Sequence, residues 1–217
     1  MAGFLAEMAQ SALGRVAEAK SRLSQADLWA RAQESPVPPQ LKLSAAGFDV
    51  IAELKLNSPA QGRLGAATDD LEARVAGYAQ GGAAAVSVLT EPTRFDGCME
   101  HLERSSRALA AHGVPAMRKD FLFDPYQVIE ARVAGAGGVL VILRMIDRSR
   151  IIELLDCAAM LKLFVLLEGF DEDDLALGAE IVTERKATAE QLLLGVNARN
   201  LDTLQVVPDR LIGLAPK

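Results

Sequence analysis

The sequence predicts a parallel α/β fold behind a helical N-terminal extension, and three features carry that prediction. Six short apolar bursts recur from Val50 onward, helix-like amphipathic stretches separate them, and a Pro-rich break sets this alternation apart from what precedes it. The bursts are four to six residues long, short for helices and well suited to parallel strands buried on both faces. An open doubly wound sheet and a closed barrel both fit this alternation.

Taken in order, Met1 to Gln33 reads as helix, because Phe4, Leu5, Met8, Leu13, Val16 and Leu23 recur at roughly helical spacing among Ala, Glu, Lys and Arg. Ser24 to Asp27 interrupts it and starts a second, short helix. Glu34 to Gln40 is the Pro-rich break. Residues 1–47 are therefore expected to form an N-terminal helical extension, and residues 48–217 the repeated α/β unit. The bursts follow at Val50–Leu54, Ala84–Leu89, Val114–Met117, Gly138–Leu143, Leu163–Leu167 and Leu192–Val196. The intervening helices are expected over Asp69–Gln80, Met99–His112, Asp124–Ala134, Arg148–Met160 and Asp171–Thr183. Gly81–Gly82, Gly113 and Gly135–Gly138 fall where helices hand over to strands, as C-caps do.

The chain has 217 residues and a net charge of −6, with no basic stripe interleaved with aromatics, so nucleic acid is not an expected partner. A small anion can still bind through a few local lysines. No segment approaches about 18 uninterrupted apolar residues, and no signal-peptide pattern opens the chain, so a soluble cytoplasmic protein without a membrane partner is expected. Cys98 and Cys157 lack metal-type spacing and read as idle thiols. His101 and His112 read as helix-surface residues. No G-x-G-x-x-G follows the first burst, which argues against dinucleotide binding.

The polar residues cluster in register with the fold. The first burst ends in Glu53 and Lys55, the second in Thr90 and Glu91, the third in Lys119 and Asp120, the fourth in Arg144, the fifth in Glu168, and the sixth in Asn197 and Arg199. Charges beside buried strands are costly unless paired or set in a cavity. In a barrel these ends converge on the rim where active sites are built. Glu53 and Lys55, two residues apart, point the same way and can pair; Lys119 and Glu168 can join them. Lysines and carboxylates in a dry cavity supply acids and bases near neutral pH, which indicates proton transfer on a small anion with no obligatory metal.

Five segments in this order, "IAELKLNSPAQG", "VSVLTEPTRF", "MRKDFLFDPYQV", "LLEGFD" and "GVNARNL", resemble the motifs of indole-3-glycerol phosphate synthases. The resemblance covers essentially the whole chain. It implies a (β/α)8 TIM barrel, here of about six βα units, and closure of an indole ring on a phosphorylated small-molecule substrate with loss of carbon dioxide and water, without a cofactor. By position it implies that Lys119 is the general acid and Glu168 its acid/base partner. Lys55 meets the substrate carboxylate and is a second candidate acid, Glu53 orients the lysines, Asn197 and Arg199 hold polar groups, Ser58 orders the first loop, and Glu91 lies at the substrate. Leu56 and Ala60 depart from the family's first loop, and Ile181–Gln191 is longer than its counterpart. The family pattern continues past Lys217 with two further strands whose loops hold phosphate. The expectation is therefore a partial barrel with open parallel edges that favour self-association, and a 217-residue chain with little or no activity. Two other readings stand beside this one: another phosphate-binding barrel isomerase, and an inactive barrel fragment with a binding or assembly role.

Overall fold

The computed structural model describes residues 3–58, 62–63, 70–186, 188, 190–200 and 205–214. The expected departure at Ala60 and the expected helix start at Asp69 lie outside these residues. Two helices come first, α1 (Phe4–Arg22) and α2 (Gln25–Glu34). They divide where the sequence suggested, with the Ser24 side chain capping α2 by accepting from the Asp27 N–H. On α1 the buried stripe is Leu5, Met8, Ala12 and Val16, spaced three and four apart. Leu13, expected on the apolar face, is 51% exposed, because one residue past Ala12 turns it about 100° off that stripe.

The remaining elements alternate as expected. They are β1 (Ile51–Leu54), the short strands β2 (Asn57–Ser58) and β3 (Gly62–Arg63), α3 (Leu71–Gln80), β4 (Ala85–Leu89), α4 (Pro92–Phe95), α5 (Met99–Ala110), β5 (Ala116–Lys119) and α6 (Pro125–Val133). There follow β6 (Gly138–Ile142), a 3-10 turn (Leu143–Met145), α7 (Arg148–Met160), β7 (Phe164–Gly169), α8 (Glu172–Glu184), β8 (Leu192–Val196) and α9 (Arg210–Leu214). One sheet runs β1-β4-β5-β6-β7-β8, every pair parallel and in chain order, while β2 and β3 form a separate antiparallel pair. The strands make a half-barrel with helices around it, the expected (β/α) succession. Within the described residues β1 and β8 each have one sheet neighbour.

The period of two along each strand separates two environments. Ala52, Leu54, Val86, Val88, Ala116, Val139, Val141, Val165 and Leu167 face outward and pack with helix residues such as Leu102, Leu109, Ile129 and Leu154. The alternate residues face inward. Near the start of the strands these are apolar: Ile51, Ala85, Met117, Phe164 and Leu193, joined by Leu41. Gly138 also lies here, and a Cβ on it would stand 2.4 Å from the Phe164 ring, so the close approach of β6 and β7 needs glycine. Further along the same face Leu140 and Ile142 meet Leu5, Met8 and Ala12 of α1, with Phe121 and Phe170. Helix α1 thus lies across the C-terminal ends of the strands. Burying Leu5, Met8 and Val16 contributes roughly 5 kcal/mol to that docking.

Several strand boundaries differ by one or two residues from the apolar bursts. Past Met117, β5 continues through Arg118 to the expected rim residue Lys119, and past Leu167, β7 continues through Glu168 and Gly169. Arg118 is tolerated inside the strand because its guanidinium is paired from the neighbouring elements, as described below.

Candidate active site

All the strands run the same way, so their C-terminal ends bring the predicted polar residues to one rim. A cleft of ≈ 340 Å³ opens there, and Glu53, Lys55, Glu91, Lys119, Glu168, Asn197 and Arg199 all line it. Ser58 does not; it is buried in β2, outside the cleft wall.

Glu53 projects from β1 and accepts from the Lys55 ammonium at 2.6 Å, the pairing that their two-residue spacing predicts. Lys119 ends β5, and its Nζ lies 3.5 Å from Oε2 of Glu168 on β7. The other Glu168 oxygen accepts from Asn197 Nδ2 at 3.2 Å. Asn197 is itself fixed: its N–H donates to the Gly169 carbonyl, and its Oδ1 accepts from the Arg199 N–H at 2.8 Å. The long Lys119–Glu168 contact leaves the ammonium at the edge of hydrogen-bond range, so its protons stay available to a substrate atom in the cleft.

Glu91 lies in the wall but is committed to a cap. One oxygen accepts from the Thr93 N–H and hydroxyl, and the other from the Arg94 N–H, starting α4 behind Pro92. Arg144, at the end of the fourth burst, is not in the cleft wall. It pairs with Asp171 and Asp174 and stacks on the Phe170 ring at 4.7 Å. His101 is half-buried, its pKa lowered by burial and by Arg104, and His112 is exposed. The Cys157 thiol is pushed up to about 12 by burial, with the Asp124 charge adding to the shift, which leaves it an unreactive thiol. Within the described residues no three His, Cys, Asp or Glu gather as a metal-binding group, and no helix is long and apolar enough to cross a membrane.

Two features escaped the sequence reading. The first is an aromatic wall made by Phe4 of α1, Phe95 of α4 and Phe121 after β5, with ring centroids 6.0–6.5 Å apart. With Leu89, Leu140 and Ile142 it gives the cleft an apolar lining beside its charged groups, Ile142 lying next to Glu168 in the sheet register. The second is a buried ion cluster beside Lys119. Asp120 is wholly out of water; it accepts two bonds from Arg15 of α1 (2.8 and 2.9 Å) and one each from Arg118 Nη2, the Thr90 hydroxyl and the Phe121 N–H. Burial works to raise its pKa, but the Arg15 hydrogen bonds, the charges of Arg118 and Arg15, and the Thr90 hydroxyl outweigh that and hold it at about 2. Arg118 is completed by the Gln127 carbonyl and Glu130 of α6. The one available signal was Arg118 itself, a charge inside an apolar strand that demands partners.

The loop leaving Lys119 is equally ordered. Asp124 and Gln127 form a reciprocal capping box at the start of α6, with Pro125 in its first turn. The Gln127 side chain also accepts from the Phe123 N–H and donates to the Phe121 carbonyl. The "DPYQ" segment therefore shapes the backbone that follows the lysine.

Comparison with known proteins agrees with this geometry. The family description "Indole-3-glycerol phosphate synthase" matches residues 5–217. A relative of that name from Nocardioides sp. is 43% identical over 203 residues, 93% of this chain and 74% of the relative. One from Mycolicibacterium gilvum is 38% identical over 203 residues, 93% of this chain and 70% of the relative. A third, from Rhodococcus jostii, is 37% identical over 190 residues, 86% of this chain and 66% of the relative. On five ordered motifs, a parallel sheet that gathers them at one rim, and these matches, the chain belongs to the indole-3-glycerol phosphate synthase family.

Proposed function

We propose that the protein is a lyase of tryptophan biosynthesis that forms indole-3-glycerol phosphate. It closes the pyrrole ring of 1-(2-carboxyphenylamino)-1-deoxyribulose 5-phosphate, with loss of one carbon dioxide and one water. The observation that carries this reading is Lys119 facing Glu168 at 3.5 Å in a cleft lined by both aromatic rings and charged groups. The apolar lining suits the substrate's aryl ring, and the ammonium groups suit its carboxylate and ketone oxygen.

The ring carbon that bears the carboxylate attacks the ketone carbon while Lys119 protonates the ketone oxygen. Carbon dioxide leaves from that ring carbon and restores aromaticity. The new hydroxyl then departs as water, taking its second proton from the Lys55 ammonium that decarboxylation has freed, with Glu168 taking a proton from the adjacent carbon. Lys55 holds the carboxylate before it is lost, and Glu53 fixes Lys55. Asn197 sets the Glu168 carboxylate, Arg199 meets substrate polar groups, and Glu91 and Ser58 order the loops at the rim. The contributions are orientation, proton transfer and electrostatic stabilisation, supplied by side chains without a cofactor.

The test is to supply the purified protein with the carboxyphenylamino substrate and follow indole fluorescence. Product should accumulate with wild-type protein, a result that would set aside the expectation of little or no activity drawn from the family pattern. Absence of product, with the substrate shown to bind, removes this reading and leaves a binding role for the cleft.

A further inference from the structure

The N-terminal helix reaches the reaction centre through a charge as well as through apolar packing. Arg15 lies on α1, 105 residues before Asp120, and grips that carboxylate with both terminal nitrogens at 2.8 and 2.9 Å. Asp120 directly follows Lys119, and both line the cleft. The other ties of α1 reach residues further from the lysine. Glu7 pairs with Arg94, Lys20 with Asp124, and the Tyr126 hydroxyl donates to the carbonyls of Ala19 and Leu23. Among these contacts only the Arg15 pair is set against a side chain with no exposure.

We infer that Arg15 is a positioning residue for Lys119. Through Asp120 it fixes the backbone at the end of β5 and sets the balance of charge beside the ammonium. The inference rests on the proposed role of Lys119 as the general acid. Three observations support it. Asp120 has all its visible hydrogen-bonding capacity filled, and one of those bonds is to the Phe121 N–H, so the carboxylate fixes the chain on the far side of Lys119. Arg118, on the near side, is bound to the same carboxylate and to α6. Lys119 is thereby flanked by two anchored residues, while among the described residues its own ammonium has the one long contact to Glu168. Among the described residues the other charged groups lining the cleft are Glu53 from β1, Lys55 just after it, Glu91 after β4, Asp120 beside the lysine, Glu168 from β7 and Arg199 after β8. Arg15 of the N-terminal helix is outside the cleft wall and reaches the lysine through Asp120.

Docking alone does not explain the pair. The apolar stripe of α1 holds the helix in place, so Arg15→Met should leave α1 seated and free the Asp120 carboxylate from one of its two guanidinium partners. Loss of Arg15 or of the Asp120 charge loosens the tie that holds the chain on both sides of Lys119, whereas a break elsewhere in the docking of α1 leaves that tie intact.

The experiment compares wild type, Arg15→Met, Arg15→Lys, Asp120→Asn and, as a control for helix docking, Glu7→Gln. Two readouts are taken. The first needs no substrate: the rate at which a small acylating reagent labels Lys119 at fixed pH, read by peptide mass spectrometry with Lys162 as internal reference. The second is kcat and KM. Arg15→Met and Asp120→Asn should each change the Lys119 labelling rate about threefold or more. Arg15→Met should also lower kcat about tenfold with KM changed less than about threefold, Arg15→Lys should recover part of the loss, and Glu7→Gln should match wild type. Unchanged labelling in both Arg15→Met and Asp120→Asn overturns the inference, as does a Glu7→Gln variant that reproduces the Arg15→Met pattern. If Asp120→Asn does not fold, the two Arg15 variants decide. If wild type forms no product, the functional reading fails, while the labelling arm still settles whether Arg15 acts on Lys119.

Discussion

Two charge clusters meet at the end of β5, on the adjacent residues Lys119 and Asp120, and they are built to opposite specifications. Around Asp120 the carboxylate accepts five hydrogen bonds, from Arg15, Arg118, Thr90 and the Phe121 N–H, and its side chain and that of Arg118 are 0% and 2% exposed. Around Lys119 the contacts are sparse. The ammonium lies 3.5 Å from Glu168, with side chains 26% and 11% exposed at the cleft. A saturated cluster has no capacity left for a ligand, and disturbing it strands buried charge. An unsaturated one keeps capacity for a substrate and contributes little to the fold. The comparison teaches that charge at a strand end is not by itself a site; what separates the two roles is how many partners the protein already supplies.

The comparison breaks most visibly in turnover. Lys119→Ala and Glu168→Gln should each lower kcat about 10²–10⁴-fold, the usual worth of general acid–base catalysis, with much smaller changes in KM. Steady-state fluorescence kinetics checks this, and a change confined to KM would reduce either residue to a binding role.

The next largest effect lies on the other side of β5. Asp120→Asn removes the charge that two guanidinium groups share and should cost about 3–5 kcal/mol of stability, read as a lower midpoint in urea unfolding. A variant within about 1 kcal/mol of wild type would show that water or rearrangement compensates the cluster.

A smaller effect follows from acid. The folded pKa of Asp120 is held at about 2, below its ordinary 3.8. A depressed carboxylate pKa contributes stability that is present above the unfolded value and lost as pH falls through the folded one. The contribution, roughly 2 kcal/mol, should therefore fade between about pH 4 and pH 2. Comparing acid unfolding of wild type with Arg15→Met measures it: the variant should unfold at higher pH, and coincident curves would mean that Arg15 does not hold the carboxylate.

Much of this arrangement is legible in the sequence, and the reasons differ by region. The parallel order of the strands could be read because burial on both faces leaves continuous apolar bursts, and the rim because every burst ends in a polar residue. The partners of Arg118 were not legible, because the charge that β5 carries past its apolar burst is accommodated by Gln127 and Glu130 across on α6. Leu13 was misjudged because a loose helical period admits a residue one position off the buried stripe. At the site, Glu53 and Lys55 were predictable as a pair because their spacing alone sets their direction. The Glu91 cap was less so, since a carboxylate two residues before a helix-starting threonine serves a cleft and a helix equally well in sequence. Arg15 and the aromatic wall were hidden for a simpler reason: their partners lie some 90–120 residues away, and no local pattern encodes contacts at that range.

The central claim, that neighbouring residues at the end of one strand divide structural and chemical work between them, is tested most directly by the unfolding free energy of Lys119→Met in urea. The predicted result is a value within about 1 kcal/mol of wild type with the same slope, because the half-open Lys119–Glu168 contact contributes little to stability. A loss of about 3 kcal/mol or more, comparable with that expected for Asp120→Asn, would contradict the division and make Lys119 a structural member of the same cluster.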